Sequence, residues 1–141
     1  MDKIKSFYHF VILSLLFLQI QSCTSDITIS LGNGYFYRDE GDNLKDILCK
    51  NVNGVEVPAT VINYVYDSKF ILAKQIPKYP QDPLYNKEYE YKKGSDAVYF
   101  WIIDKSNNVQ YGPLEKREYD KLRQKLRIPR NLQLDNTDLI E

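Results

Sequence analysis

Short runs of strand-forming residues, separated by turn signals, fill most of the chain from residue 26 to residue 111. In DITISL (residues 26–31), alternation puts Ile27, Ile29 and Leu31 on one side of a strand. AVYFWIID (residues 97–104) has the aromatic and β-branched composition of a strand, and Asn53-Gly54 is a strong hairpin signal. Because short turns can join only antiparallel neighbours, this pattern predicts an antiparallel sheet.

Other runs complete the predicted sheet. Residues 35–37, 70–73 and 109–111 read as strands. Residues 55–57 follow the Asn53-Gly54 turn, and Pro58 limits that place to a sheet edge, a bulge or the start of a strand. Residues 59–67 read as a central strand because both of their faces are apolar. In that strand, Val61 and Val65 are expected on one side and Tyr64 on the other. Residues 44–50 fit either a helix or a strand, and their shortness favours a strand.

One amphipathic helix follows the strands. It is expected in EKREYDKLRQKL (residues 115–126), with acidic residues in its first turn, basic residues near its end and Pro129 stopping it. Its apolar face would comprise Leu114, Tyr119, Leu122 and Leu126. Strands first and a helix last predict an α+β domain, with an antiparallel β-sheet of about five to seven strands and one C-terminal amphipathic helix packed on it.

The N-terminal segment is a candidate export signal. Lys3 and Lys5 precede an almost wholly apolar stretch at residues 7–20, which is shorter than the roughly 20 residues that a membrane-spanning helix needs. A positive start, a short apolar stretch and a small residue before a break are typical of a cleaved secretory signal. An ordinary signal cut nearby and an uncleaved anchor are the alternatives.

The end of that segment resembles the lipobox of bacterial lipoproteins, in which an aliphatic residue stands three before a cysteine and a small residue just before it. Ile20, Ser22 and Cys23 fit this pattern, and Gln21 is a looser match. The resemblance implies cleavage between Ser22 and Cys23, acylation of Cys23 with chains such as palmitate, and anchoring in the cell membrane or outer membrane. Two or three acyl chains meet the requirement for stable anchoring, which one chain does not.

The expected organisation follows from that cleavage. Residues 1–22 form the signal peptide, residues 23–25 the lipidated cysteine and a very short tether, residues 26–134 the single domain, and residues 135–141 a flexible tail. Removing residues 1–22 takes away two of the 19 basic and one of the 19 acidic residues, leaving a formal charge of −1. This balance argues against nucleic-acid binding, which requires a basic surface.

The mature chain would be poor in catalytic and metal-binding side chains. His9, the only histidine, lies in the segment expected to be removed, and histidine is the most frequent general base and metal ligand. Cys49, the only other cysteine, would be a lone thiol, most simply a small buried apolar residue. Asp39, Glu40 and Asp42 lack the spacing of a calcium loop. We therefore expect no cofactor, no metal and no enzymatic activity; an envelope enzyme using carboxylate or tyrosine chemistry is the alternative.

The longest irregular segment, residues 78–96, is rich in tyrosine. Long loops are frequently functional, and tyrosine is common in binding surfaces because it offers rigid contact area. Tyr79, Tyr85, Tyr89 and Tyr91 therefore form a candidate recognition surface for an envelope protein or glycan. Tyrosines of the core and of strand edges are the simpler interpretation.

Two further resemblances concern the domain. VINYVYDSKFILAKQ (residues 61–75), VYFWIIDKSNNVQYGPL (residues 98–114) and LRIPRNLQL (residues 126–134) resemble a family of small bacterial lipoproteins whose domain has no assigned function. The aromatic strand followed by Tyr-Gly-Pro-Leu is similar to GYF-type modules, which bind proline-rich peptides. That second resemblance implies binding roles for Tyr99, Trp101 and Tyr111.

Overall fold

The structure is a computed structural model that describes residues 26–135. It contains seven strands and one helix in this part of the chain. They are β1 (Ile27–Gly32), β2 (Tyr35–Asp39), β3 (Lys45–Cys49), β4 (Val61–Tyr66), β5 (Phe70–Gln75), β6 (Tyr99–Asp104), β7 (Val109–Leu114) and α1 (Lys116–Lys125).

The strands form two antiparallel sheets. The first has the order β1-β2-β3 and the second the order β4-β5-β6-β7. The predicted α+β class, the number of antiparallel strands and the C-terminal helix are confirmed, with the strands divided between two sheets. The ambiguous residues 44–50 contain strand β3.

The interior between the two sheets is the larger core. Alternate residues of β5 and β6, such as Ile71 and Trp101, point towards the first sheet and meet Leu31, Tyr35 and Ile47. All five of these side chains are almost fully buried. Residues of β5 and β6 are buried on both faces of the second sheet, which explains the uninterrupted apolar runs at residues 70–73 and 99–103. The polar residues that complete these strands, Lys74, Gln75 and Asp104, are buried as well.

Helix α1 covers the opposite face of the second sheet. Tyr119 is 2% exposed and its ring lies 4.9 Å from that of Phe100, measured between centroids. Leu122 and Leu126 pack beside it, partly buried. The helix begins with a capping box, in which Glu115 accepts from the backbone of Glu118 and Glu118 accepts from the backbone of Glu115.

Strand β4 is an edge strand, so the prediction of a central strand at residues 59–67 was wrong. Both of its faces are apolar because the second sheet is covered on both sides, by the first sheet and by α1. A bulge between Val61 and Asn63 adds one residue, which reverses the alternation. Val61 and Tyr64 therefore face the first sheet, whereas Val65 faces α1.

Residues 55–57 form a single bridge, at the place that Pro58 limited to a sheet edge, a bulge or a strand start. Ile47 and Val57 exchange both backbone hydrogen bonds, at 3.0 and 2.8 Å. The ladder ends here because Ala59, the next residue whose backbone could bond to β3, donates its N–H to the Tyr85 hydroxyl and accepts at its carbonyl from the N–H of Lys78.

The expected signal peptide (1–22), Ser22, Cys23 and the tether (23–25) lie outside the described residues, as do residues 136–141 of the expected tail. Asp135, the first residue of that tail, is held in place: its N–H donates to Asn63 Oδ1 at 3.3 Å and its carbonyl accepts from Lys74 Nζ. Between residues 26 and 135, no helix combines the length and apolarity needed to span a bilayer.

Candidate functional site

The connection between β5 and β6, residues 76–98, is anchored to both sheets by tyrosine hydroxyl groups. The hydroxyl of Tyr85 donates to Asp46 Oδ2 at 2.8 Å and accepts from the N–H of Ala59 at 2.9 Å. Asp46 is fully buried on β3 and also receives two hydrogen bonds from the Arg38 guanidinium, at 3.1 and 2.7 Å. The Arg38 guanidinium thus compensates the charge of the buried Asp46 carboxylate, and the Tyr85 hydroxyl links the loop to the first sheet.

A second anchor is formed around Glu56, which is 3% exposed. Its carboxylate accepts from the Tyr89 hydroxyl at 3.2 Å and from both the backbone and the side-chain N–H of Asn86. Gln110 of β7 donates to the same Tyr89 hydroxyl at 2.9 Å and accepts from the N–H of Glu56 at 2.6 Å. The loop is thereby joined to the second sheet.

A third anchor uses Gln75, at the end of β5. Its amide nitrogen donates to the Tyr91 hydroxyl at 2.9 Å, and its amide oxygen accepts from the Trp101 indole at 2.7 Å. Tyr99 completes the set, since its hydroxyl donates to the Gly94 carbonyl at 3.0 Å and accepts from the Lys93 N–H at 2.7 Å.

Burial raises the pKa of Tyr85, Tyr89 and Tyr91, and the carboxylates of Asp46 and Glu56 raise it further for Tyr85 and Tyr89 respectively. These phenols stay protonated at neutral pH. The hydroxyls of Tyr85 and Tyr89 donate to carboxylates, whereas that of Tyr91 accepts from the Gln75 amide. Their ring positions are consequently set by the protein interior.

An open groove of about 590 Å³ lies along the outer side of this loop. We call it the tyrosine groove. It is lined by Tyr79, Glu88, Tyr89, Glu90, Tyr91, Gly94 and Ser95. Tyr79 is 78% exposed, and the ring of Tyr91 packs against that of Tyr99, with centroids 5.0 Å apart. Aromatic rings beside carboxylates can contact the apolar faces of sugars, hydrogen-bond to their hydroxyl groups, or hold a cation.

The structure brings together three of the aromatic residues predicted to form a binding surface: Tyr79, Tyr89 and Tyr91. The fourth, Tyr85, is 7% exposed, because its side chain points into the interior, towards Asp46. A matching sequence signal is KEYEYKK (residues 87–93), in which two tyrosines alternate with two glutamates. The segment lies outside the strands, and Glu88, Tyr89, Glu90 and Tyr91 all line the groove. The groove carboxylates were missed because such an alternation in a loop does not reveal which side is buried.

The three aromatics of the GYF-like stretch do not form one surface. Tyr99 and Trp101 are 2% and 0% exposed and face the first sheet. Tyr111 is paired with Ile102, on the face that α1 covers. Buried side chains on opposite faces of a sheet cannot contact one peptide.

The other residues considered in the sequence are the acidic residues around Gly41 and the thiol of Cys49. The side chains of Asp39 and Glu40 form ion pairs with Lys45 at 3.6 Å and Arg38 at 2.9 Å. Within residues 26–135, no three histidine, cysteine or acidic side chains come close enough to hold a metal ion. Cys49 is a free thiol, partly buried against the core between the sheets.

These features define a small α+β domain made of two antiparallel sheets and a covering helix, with an open tyrosine-lined groove. Residues 32–138 match the family described as protein of unknown function DUF3997, and the chain belongs to that family. Neither a curated protein nor a solved structure matches the chain.

Proposed function

We propose that this protein is a lipid-anchored protein of the bacterial envelope, whose domain binds an envelope glycan or protein through the tyrosine groove without catalysing a reaction. The observation that carries the proposal is the internal hydrogen bonding of Tyr89 and Tyr91, which fixes two walls of the groove before any ligand arrives. Preorganised aromatic walls favour binding because little side-chain entropy is lost.

Binding is favoured over catalysis by the state of the polar groups. The buried carboxylates of Asp46 and Glu56 accept several hydrogen bonds each. The raised pKa of Tyr89 and Tyr91 keeps their protons in place. General acid–base catalysis works best with a pKa near the working pH, which these phenols do not have.

The anchor rests on the Ile20-Gln21-Ser22-Cys23 stretch, which resembles a lipobox. The lipid anchor is tested by growing cells that produce the protein with an alkyne fatty acid and detecting the label on the protein. We expect label on the wild-type protein and none on Cys23→Ser. Label that persists in the variant, or that is absent from the wild type, would disprove the anchor.

Binding through the groove is tested with soluble peptidoglycan fragments as the glycan probe. Tyr79→Ala should weaken binding by about tenfold, because truncating a central aromatic contact costs upwards of 1 kcal/mol. Leu84→Ala is the matched control, since Leu84 is 68% exposed in the same loop but outside the groove. Equal binding by wild type and Tyr79→Ala would place the site elsewhere.

If the fragments do not bind, the protein alternative is tested by comparing the envelope proteins that wild type and Tyr79→Ala retain. A partner lost only in Tyr79→Ala supports the groove as a protein-binding site. Identical retention by both proteins counts against it.

A further inference from the structure

An apolar patch lies exposed on β1 and β4. Ile27 is 48% exposed, Ile29 40% and Tyr66 45%. Ile29 is paired with Tyr37 of β2, which packs against the core between the sheets, so Ile27 and Ile29 lie on the inner face of the first sheet. Leu31, at a bulge between Ser30 and Gly32, is fully buried in the same core. The patch therefore continues the inner face of the first sheet outwards from the core.

The patch is continuous across both sheets. Ile29 is paired with Tyr37 of β2, so these two side chains lie on the same face. The Tyr37 ring stacks on Tyr64 of β4, with centroids 4.6 Å apart. Tyr66 follows Tyr64 by two residues and shares its face.

Lys105 fixes the position of Tyr66 relative to β1. Its ammonium group donates to the carbonyl oxygens of Leu31, at 2.6 Å, and Asp67, at 2.5 Å. The same group lies 5.6 Å from the centroid of the Tyr66 ring. Because Lys105 is only 4% exposed, its charge is directed inwards and does not add to the exposed surface of the patch.

The acidic residue paired with the patch in the β1-β2 ladder has its charge compensated. Asp39, which is paired with Ile27, forms an ion pair with Lys45 at 3.6 Å. Such a surface is suited to an apolar or interfacial environment more than to a strongly charged one.

The position of the patch in the chain indicates what covers it. Ile27 is only four residues after Cys23, which limits its distance from the cysteine to roughly 14 Å in a fully extended chain. We propose that the patch of Ile27, Ile29 and Tyr66 is the membrane-facing surface of the domain and rests in the interfacial layer of the bilayer. This inference depends on the proposed lipid anchor at Cys23.

The physical basis is the same as for other interfacial contacts. Isoleucine side chains gain free energy when they leave water, and tyrosine is enriched at the level of the lipid headgroups. Together with acyl chains, the patch would hold the domain in one orientation and leave the tyrosine groove accessible to a partner.

Tryptophan quenching tests this orientation in the full-length lipidated protein. Ile29→Trp and Tyr66→Trp are reconstituted separately into phosphatidylcholine vesicles whose acyl chains carry bromine near the headgroup end. We expect each to lose about half of its added fluorescence, because a side chain at interfacial depth contacts the quencher. Trp101, which is fully buried, contributes a constant background that the wild type measures.

Tyr79→Trp is the matched control, because Tyr79 is exposed in the groove. It should keep its fluorescence. If all three variants are quenched equally while the protein floats with the vesicles, the inference is wrong and the anchor stands. If the protein neither carries fatty-acid label nor floats, both proposals are wrong. A dimer that buries both introduced tryptophans in the absence of lipid would also disprove the inference, in favour of a second copy.

Discussion

At the scale of single residues, the most demanding contact lies between Gly112 and Trp101. A Cβ at position 112 would meet Cε3 of Trp101 at 2.3 Å and Cδ2 at 2.4 Å. The indole is fully buried and its nitrogen donates to Gln75, so it cannot move aside without breaking that hydrogen bond. Only glycine fits here.

Gly112→Ala should therefore lower the free energy of unfolding by about 3 kcal/mol, the upper range for overpacking a core. Urea denaturation measures the change. Gly94→Ala is the control: the φ of Gly94 is +81° and that of Gly112 is +152°, so both are positive, but a Cβ at position 94 would meet nothing within 4 Å. It should cost only about 1 kcal/mol. Equal losses in the two variants would show that the Trp101 contact does not matter.

Tyr85→Phe tests the first anchor of the loop. The variant loses the hydroxyl that joins Asp46 to the N–H of Ala59, and leaves that buried N–H without this partner. We expect a destabilisation of about 1–3 kcal/mol, measured by thermal or urea denaturation. Tyr79→Phe removes the same atom from an exposed ring and should change stability by less than about 0.5 kcal/mol. If Tyr85→Phe is as stable as the wild type, the hydrogen bonds of this hydroxyl do not anchor the loop.

At the scale of elements, α1 is stabilised by packing more than by its own sequence. Its apolar face buries Tyr119 and partly buries Leu122, and a helix of ten residues is marginal in isolation. Leu122→Asp should lower the free energy of unfolding by at least about 2 kcal/mol, since it removes apolar contacts and places a charge against the core.

The control for this prediction is Gln124→Asp, because Gln124 is exposed on the same helix. It carries the same new charge without touching the core, so its denaturation midpoint should stay close to the wild type. If Leu122→Asp melts like Gln124→Asp, the Leu122 face does not contribute to the core.

Individual elements could be predicted where their pattern was local. The alternation of Ile27, Ile29 and Leu31, and the apolar run of residues 99–103 in β6, indicated strands correctly. What local patterns could not reveal was the division into two sheets, because it depends on which strands pair across the chain. The bulge after Val61 was hidden for the same reason: no residue type there signals an extra residue in the ladder.

The candidate site was harder to predict than the fold. Eleven tyrosines follow residue 22, and their identity alone does not show which side of each ring meets solvent. Tyr85 and Tyr99 proved to be interior hydrogen-bonding groups, while Tyr79 is exposed. The partners of Tyr85, Tyr89 and Tyr91 are Asp46, Glu56 and Gln75, which are 39, 33 and 16 residues away in the chain, so only the three-dimensional structure reveals them.

At the scale of the whole molecule, the buried tyrosines make stability sensitive to alkaline pH. Burial raises the pKa of Tyr37 to about 12, and that of Tyr35, Tyr85, Tyr89 and Tyr119 also lies above the ordinary value. As the pH passes about 10, the unfolded chain releases phenolic protons that the folded protein keeps. The stabilisation is therefore complete below pH 10 and is lost as the pH rises through the folded-state values.

Urea midpoints measured between pH 8 and about 12 should thus stay high at first and then fall steeply. Burial lowers the pKa of Lys105, which acts in the opposite direction below its ordinary value, but it is one group against several tyrosines. Tyr37→Phe removes one of them and should make the fall shallower. A midpoint that stays constant up to pH 11 would contradict this account.

The anchoring of residues 76–98 also has a practical consequence for finding the ligand. The segment that lines the groove is hydrogen-bonded to Asp46 in one sheet and to Gln75 in the other, so loosening it would weaken both. A compound that binds the groove would stabilise this segment in its folded conformation. At a concentration of 100 times its Kd, it would add about 2.7 kcal/mol to the stability of the folded state. Melting curves recorded against a library of cell-wall sugars and short peptides would then report groove binding through the whole domain, with Tyr79→Ala as the background.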